Sequence, residues 1–522
     1  MDLVAELTRS NLAPELLAGL LARFEQQEEM LQRKEAELRS TAHELQHKDL
    51  KIQALTLELA HLRRLKFGAK SEALTAAQRD LFDDSCAEDG AAIAAELNQQ
   101  QTPSPRPSRP KPTGRKALPA ELPRIERRHE PSVCTCGQCG STLVKIGEDV
   151  SEQLDIEPAR FFVIRHIRPQ YACRGCETVS AAPVPVSLID GGLAAPGLHA
   201  WVLSEKYLNH QPLYRIEQIS ARHGVPIARS TLAQWVGQIG VQLQPLVDRL
   251  TELLRQRRVL HADETPVQQL DPGAGKTKRA YLWAYRSNDL ETGPPLVVFD
   301  YQTSRSGAHA RDFLAGWQGH LMVDDYVGYK ALFRQGVTEL ACLAHARRKF
   351  FELHAANGHP VAAEALAYIG ELYAIEAEGR ALDPAARHAL RQREARPRLE
   401  AWRAWLIAQR RKSAEGSGLA RAIDYSLKRW EALARYVERG DLPIDNNLCE
   451  NAIRPVCLGK KNWLFAGSAR AGQRAAAIQS LFATARLNGI EPYAWLKDTL
   501  EKLPLWPSSR IDELLPLRAE AA

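Results

Sequence analysis

The stretch RRVLHADETPV, residues 257–267, is a short apolar run that closes on two acids, Asp263 and Glu264. It marks a change of pattern. Upstream of it the apolar residues recur at helical spacing. Downstream, RAYLWAYRS (279–287) and PPLVVFDYQ (294–302) are further compact apolar runs bounded by Gly, Pro and polar residues, as strands are. RSGAHARDFLAGW (305–317) then reads as a helix, GHLMVDDY (319–326) as a fourth strand and KALFRQGV (330–337) as a short helix. TELACLAHARRKFFELHAA (338–356) reads as a fifth strand running into a helix. Three strands followed by alternating strands and helices predict an α/β layer around residues 256–480.

Two of these strands end on carboxylates: Asp263 closes the first, and Asp324 and Asp325 close the fourth. Further on, DNNLCENAIRP (445–455) places Glu450 on a helix expected to begin near Asn446 or Asn447. Acids at strand ends can converge in space although distant in sequence. Three carboxylates around one cleft form a hard oxygen site suited to Mg²⁺ or Mn²⁺, the setting of two-ion phosphoryl transfer. Taken singly, each acid is equally well a solvated strand end. Nothing in the pattern chooses between Asp324 and Asp325, because neighbours on a strand face opposite sides.

The chain has 522 residues, enough for several domains, with 25% charged and 45% apolar residues, an ordinary soluble balance. A formal charge of +6 is a mild bias toward anionic partners. No run approaches the length of a membrane span, and MDLVAELTRS lacks the basic start and apolar core of a secretion signal. A cytoplasmic protein with no membrane partner is the expectation.

At the N-terminus Leu17, Phe24, Leu31, Leu38, Leu45, Ile52 and Leu59 recur every seven residues. Such a repeat predicts a coiled coil over 1–68, broken at Gly68 and pairing copies of the chain as a homodimer or higher homo-oligomer; the alternative is a long amphipathic helix packed on its own protein. The Pro-rich basic segment PSPRPSRPKPTGRK (103–116) lies in a linker, 69–125, that serves as a spacer or as an arm touching phosphates.

Five of the nine cysteines fall between Cys134 and Cys176, which argues for metal rather than disulfides. Cys136-x-x-Cys139 and Cys173-x-x-Cys176 supply four thiolates, a closed tetrahedral set for structural Zn²⁺ in a domain over 126–185. FFVIRHIRPQYAC (161–173) alternates as a strand would and offers Arg165, His166, Arg168 and, just beyond, Arg174 to DNA. Over 186–255 the chain reads as helical. IEQISARHG (216–224) and STLAQWVGQI (230–239), joined by VPIAR, resemble a helix-turn-helix with Ser230 or Thr231 as the cap; two packed helices without a DNA role read equally. An Ala- and Arg-rich helical insertion at about 355–440 carries Arg387, Arg391, Arg393, Arg396, Arg398, Arg403, Arg410 and Arg411, either a solvated surface or a phosphate-facing one. A C-terminal helical segment, 481–522, closes the chain.

The landmarks LKFGAKSE (65–72), the double CxxC, HADETPV (261–267), DDYVGY (324–329), CLAHARRKF (342–350), DNNLCENAIRP, GKKNWLFAGS (459–468) and ARLNGIEPYAWL (485–496) together resemble the DDE transposases of the insertion sequence 66 family. The resemblance covers nearly the whole chain. It implies an RNase H-like catalytic domain in which Asp263, Asp324 and Glu450 bind two divalent ions, Mg²⁺ or Mn²⁺. It implies cleavage and strand transfer at the ends of an insertion sequence in prokaryotic, nucleoid-associated DNA. The partners it implies are terminal-repeat and target DNA, with small accessory proteins of the element. The family's Asp-Gly-Tyr-x-Gly-Tyr pattern aligns with residues 324–329, so Asp324 takes the ligand position and Asp325 replaces a glycine. His345, Arg348, Arg454, Lys460 and Lys461 are the candidate DNA contacts, and Arg454 stands one helical turn beyond Glu450.

Overall fold

In the computed structural model the described residues are 14–71, 87–97, 118, 120, 122–130, 141–142, 144–157, 160–183, 186–189, 191–271 and 276–518. The chain divides into two units: residues 1–69 with 93–110, and residues 70–92 with 111–522. In the first, the heptad pattern is realised as one helix, α1 (Pro14–Ser71). It runs through Gly68 rather than stopping there; one glycine costs a helix only ~1 kcal/mol and does not end it. Its seven-residue positions Leu31, Leu38, Leu45 and Ile52 are exposed, as is Leu55. Ion pairs one turn apart, Glu35–Arg39 and Glu44–Lys48, line its polar face.

A second helix, α2, spans 87–97. Its Glu88 and Asp89, within the second unit, are buried against Arg474: Arg474 Nη2 lies 2.8 Å from Glu88 and Nη1 3.1 Å from Asp89. Lys206 completes the set at 2.9 Å from Glu88. Gly237 permits this approach, since a Cβ there would sit 2.1 Å from the Glu88 carbonyl oxygen.

In the second unit a mixed sheet comes first, β1 (Arg124–Arg128), β2 (Val144–Glu157), β3 (Arg160–Ala172) and β4 (Val179–Ala181), in the order β1-β3-β2 with β4 on β3. The expected alternation is β3; its long partner β2, VKIGEDVSEQLDIE, is too polar to announce itself. Leu154, Ile156, Phe161 and Val163 share one core with the helices that follow, α3 (Pro196–Tyr207), α4 (Leu213–Arg222), α5 (Arg229–Gln242) and α6 (Gln244–Arg255). The α4–α5 pair occurs where expected, but its cap differs. Ala228 is the N-cap, with no side-chain bond, and Glu217 instead accepts the Arg229 N–H at 2.9 Å. Most of α5 is buried, from Leu232 to Gly240, leaving Ser230 and Gln234 exposed.

The five expected strands are all present: β5 (Val259–Asp271), β6 (Lys276–Ser287), β7 (Val297–Gln302), β8 (His320–Val323) and β9 (Thr338–Ala341). They form a sheet in the order β7-β6-β5-β8-β9. β5–β6 and β6–β7 are antiparallel, while β5–β8 and β8–β9 are parallel. Helices α7 (Gly307–Phe313) and α8 (Lys330–Arg334) flank β8. The helical insertion follows β9 as α9 (Leu343–Asn357), α10 (Pro360–Glu378), α11 (Pro384–Leu390), α12 (Arg396–Lys412), α13 (Gly418–Lys428) and α14 (Trp430–Ala434). The chain then returns to the sheet with α15 (Asn447–Trp463), α16 (Ala469–Leu487) and α17 (Pro492–Lys502).

Two arginines of the insertion are buried and tied to other groups of the chain. Arg391 is fully buried, donating to both carboxylate oxygens of Glu376 at 2.8 and 2.6 Å and to the Tyr436 carbonyl at 2.9 Å. Arg387 donates to the carbonyls of Gly379 and Gly440 at 2.9 and 2.7 Å. Arg398 and Arg410 pair with Glu394 and Asp424. A guanidinium's five donors suit it to tie off carbonyls at helix ends, and composition does not distinguish that use from phosphate binding.

Candidate active site at the centre of the five-stranded sheet

Three elements bring the three acids together. Asp263 lies on β5, opposite Ala284 of β6. Asp324 directly follows β8, the parallel neighbour of β5, and its Oδ1 accepts the Tyr326 N–H at 2.8 Å. Glu450 lies in the first turn of α15. That helix buries Cys449, Ile453 and Val456 against Val267, Ala280, Leu282 and Ala284 of β5 and β6. The spacing of these three fixes one face of the helix to the sheet and turns the adjacent Glu450 toward the strand ends. Asn446 anchors the start of α15: its side chain donates to the Ala262 carbonyl at 2.9 Å and meets His261 at 3.0 Å.

Electrostatics register this convergence. Asp263 is pushed up to about 8, first by burial, then by the charges of Glu264, Asp324 and Glu450. Asp325 faces elsewhere. Its carboxylate lies 3.5 Å from both Lys330 and Arg429 and is half exposed. The side-by-side aspartates therefore diverge, one toward the acids and one toward two cations.

Glu264, adjacent to Asp263 in sequence, is on the opposite face of β5. It receives Tyr329 Oη at 2.9 Å and Arg305 Nε at 2.8 Å. Burial raises its carboxyl, and Arg305 opposes that rise. Arg305 also lies 4.0 Å over the Tyr326 ring. Glu264 thus ties the turn after β8, which carries Asp324, to the strand carrying Asp263. Arg305 and this role of Glu264 were not legible in the sequence, because nothing in RSGAHARDF signals a partner 41 residues away.

On the far side of the acids is α9. His345 Nδ1 stands 3.7 Å from Glu450 Oε1, and Arg348 Nη2 stands 3.9 Å from Glu450 Oε2. Burial lowers the His345 pKa, against the charges of Glu450 and Asp324. Cys342, at the N-cap of α9, is buried with its thiol pushed up to about 12, and the Asn446 N–H donates to its sulfur at 3.2 Å. His345 and Arg348 therefore line the acid cluster itself. Lys460 is held to β5, donating to the Thr265 hydroxyl and the Pro266 carbonyl at 3.3 and 3.1 Å. Arg454 and Lys461 are exposed on α15. Arg454 makes no ion pair with Glu450 among the described residues; His345 and Arg348 occupy that side.

The donor chemistry of these acids suits a divalent cation. Buried like charges raise the proton affinity of Asp263, and Glu450 Oε1 is buried without a hydrogen-bond donor. Both defects are what a hard cation among carboxylates removes. In the β1–β4 unit, Cys173 is buried and Cys176 partly so, at the ends of a tight turn. Cys136 and Cys139, with Cys134, lie outside the described residues. Of the arginines expected to face DNA there, Arg165 instead pairs with Glu126 and Glu152, and Arg168 with Asp149. His166 is buried, 2.9 Å from both Gln153 and His129. Arg174 remains exposed. On a β-strand pair, cross-strand acids satisfy such cations first.

Comparison with known proteins agrees along the chain. Residues 191–474 match the model of the Transposase IS66 family, 133–177 the zinc-finger binding domain of transposase IS66, and 480–517 the IS66 C-terminal element. Residues 54–127 match a model described as Transposase C of IS166 homeodomain. Among curated relatives, an uncharacterized protein of Sinorhizobium fredii, y4jD, is 37% identical over 88% of this chain and 94% of its own length. A second from the same organism, y4qI, is 38% identical over 89% of each. The zinc-finger match supports a structural zinc, and no helix among the described residues is long and apolar enough to cross a membrane. With its central region, its cysteine unit and its C-terminal element all matched in order, the chain belongs to the IS66 family of transposases.

Proposed function

We propose that this transposase cleaves DNA at the ends of an insertion sequence and joins the freed 3′-hydroxyl to target DNA in one active site. The observation that carries the reading is the convergence of Asp263, Asp324 and Glu450 from β5, the end of β8 and the start of α15. The sheet order, with two antiparallel strands on one side of β5 and two parallel ones on the other, supports an RNase H-like catalytic domain. Asp263, Asp324 and Glu450 would hold Mg²⁺ or Mn²⁺, which supplies nucleophile activation and charge neutralisation in phosphoryl transfer.

The chain's own residues do the rest. Glu264, through Tyr329 and Arg305, fixes the distance between the two aspartates. Arg348 beside Glu450, with the exposed Arg454 and Lys461, offers cations to the phosphates flanking the scissile bond, and Lys460 braces α15 on β5. The zinc unit and the α4–α5 pair would recognise the terminal repeats, through Arg174 and the exposed N-terminal part of α5. The exposed heptad positions of α1 support pairing of two copies as a coiled coil, holding two ends together. The setting is the bacterial cytoplasm, on nucleoid DNA.

The test is strand transfer with pre-cut ends. Asp263→Ala, Asp324→Ala and Glu450→Ala should each lower the rate by on the order of 10³ or more, about 4 kcal/mol of transition-state stabilisation. Asp325→Ala should stay near wild type, since Arg429 keeps Glu339 as a partner at 2.7 Å. An active Asp324→Ala beside an inactive Asp325→Ala would overturn the assignment. Cleavage without joining by the wild type would make the chain a nuclease of the same fold.

A further inference from the structure

His345 and Glu450 face each other across a contact that satisfies the hydrogen bonding of neither side chain. The two facing atoms, Nδ1 and Oε1, are both buried, and neither has a hydrogen-bond partner. Buried polar atoms without partners are uncommon and costly. At 3.7 Å they are too far apart to satisfy each other. That gap has the size of a ligand edge. A cation about 2.1–2.2 Å from each atom fits, because half the separation is only about 1.9 Å. Cys342 Sγ completes a group whose donor atoms all lie within 4.8 Å of one another. Asp324 is near enough for its charge to act on His345.

We infer that His345 is a metal ligand, sharing with Glu450 a cation position with a mixed nitrogen–oxygen donor set, distinct from the all-oxygen position of Asp263 and Asp324. An imidazole beside a carboxylate favours Mn²⁺ and other borderline divalent cations over Mg²⁺. Cys342 is a positioning residue here: its sulfur receives the Asn446 N–H and so ties the start of α9 to the start of α15, one carrying His345 and the other Glu450. This rests on reading Glu450 as a metal-binding acid, so its test must separate the two.

The experiment uses the full-length, zinc-loaded chain with Mn²⁺ as the probe, since Mn²⁺ does not compete for a four-thiolate zinc site. Electron paramagnetic resonance counts bound Mn²⁺, and spin-echo modulation detects a directly bonded imidazole nitrogen. The wild type should show nitrogen modulation. His345→Ala should abolish it and weaken Mn²⁺ binding at least tenfold, the scale on which even an outer partner of a ligand matters. His345→Gln, which keeps the bulk of the side chain, should also lack the modulation. Mn²⁺ bound without nitrogen modulation, or modulation that survives in His345→Ala, overturns the inference. If Asp263→Ala or Glu450→Ala still weakens Mn²⁺ binding in that case, the acid site stands. Mn²⁺ binding indifferent to Asp263, Glu450 and His345 alike overturns both.

Discussion

Replacing Arg391 by methionine tests whether the Arg-rich insertion is a scaffold or a phosphate surface. The side chain is wholly buried and its partner Glu376 is 14% exposed. Arg391→Met leaves that carboxylate without its two charge-assisted bonds and leaves the Tyr436 carbonyl without its donor. Removing one member of a buried pair costs about 3–5 kcal/mol, because the other charge stays buried and uncompensated. With a urea dependence of about 3 kcal/mol/M, the unfolding midpoint of the domain should fall by about 1–1.7 M. Urea titration of the full chain, followed by tryptophan fluorescence, measures this; Trp402 and Trp430 lie in the same core. Adding Glu376→Leu should recover much of the loss, since a buried pair replaced by apolar groups is often close to neutral. Under conditions where the variant stays folded, the salt dependence of DNA binding should be unchanged. A midpoint shift below about 0.3 M, or a salt slope reduced by about one, would refute the reasoning and put Arg391 on a phosphate.

Two further outcomes follow from the sites. In the metal-free protein Asp263 holds its proton up to about pH 8, whereas in the unfolded chain it ionises near pH 4. The native state therefore binds an extra proton across that window, and stability falls as pH rises from about 4 to 8. Asp263→Asn should flatten that fall in denaturation curves. In calorimetry at pH 7 the wild type should release close to one proton on binding Mg²⁺, and Asp263→Asn should not. Separately, Cys173→Ser should remove one equivalent of zinc by metal analysis and unfold the β1–β4 sheet, because such sites couple metal binding to folding; retention of the zinc would show that the buried Cys173 is no ligand.

Much of this architecture is fixed by local pattern. The five strands of the central sheet, the helix carrying Glu450 and the seven-residue apolar repeat of α1 follow from period and from flanking Gly, Pro and Asn. They are legible because burial on one face imposes a spacing on the sequence. The long polar strand β2 was not, since only Leu154, Asp155 and Ile156, near its end, are buried. The choice between Asp324 and Asp325 illustrates the boundary. The residues alone determine that two carboxylates end a buried strand. Which one faces Asp263 depends on Lys330 and Arg429, 5 and 104 residues further on, drawing Asp325 away.

The same holds for charge. The order of residues is enough to show that the insertion is rich in arginine, that His345 and Arg348 stand on one helix, and that Glu450 lies some hundred residues beyond them. Packing between distant elements makes Arg387 and Arg391 core clamps, sets Glu264 and Arg305 to brace the strand ends that carry Asp263 and Asp324, and turns His345 to face Glu450 with no hydrogen bond between them. The physical reason is range. Periodicity records which face of an element is buried, whereas the partner of a charged group is set by whichever element packs opposite, and that element leaves no mark on the charge's neighbours in sequence.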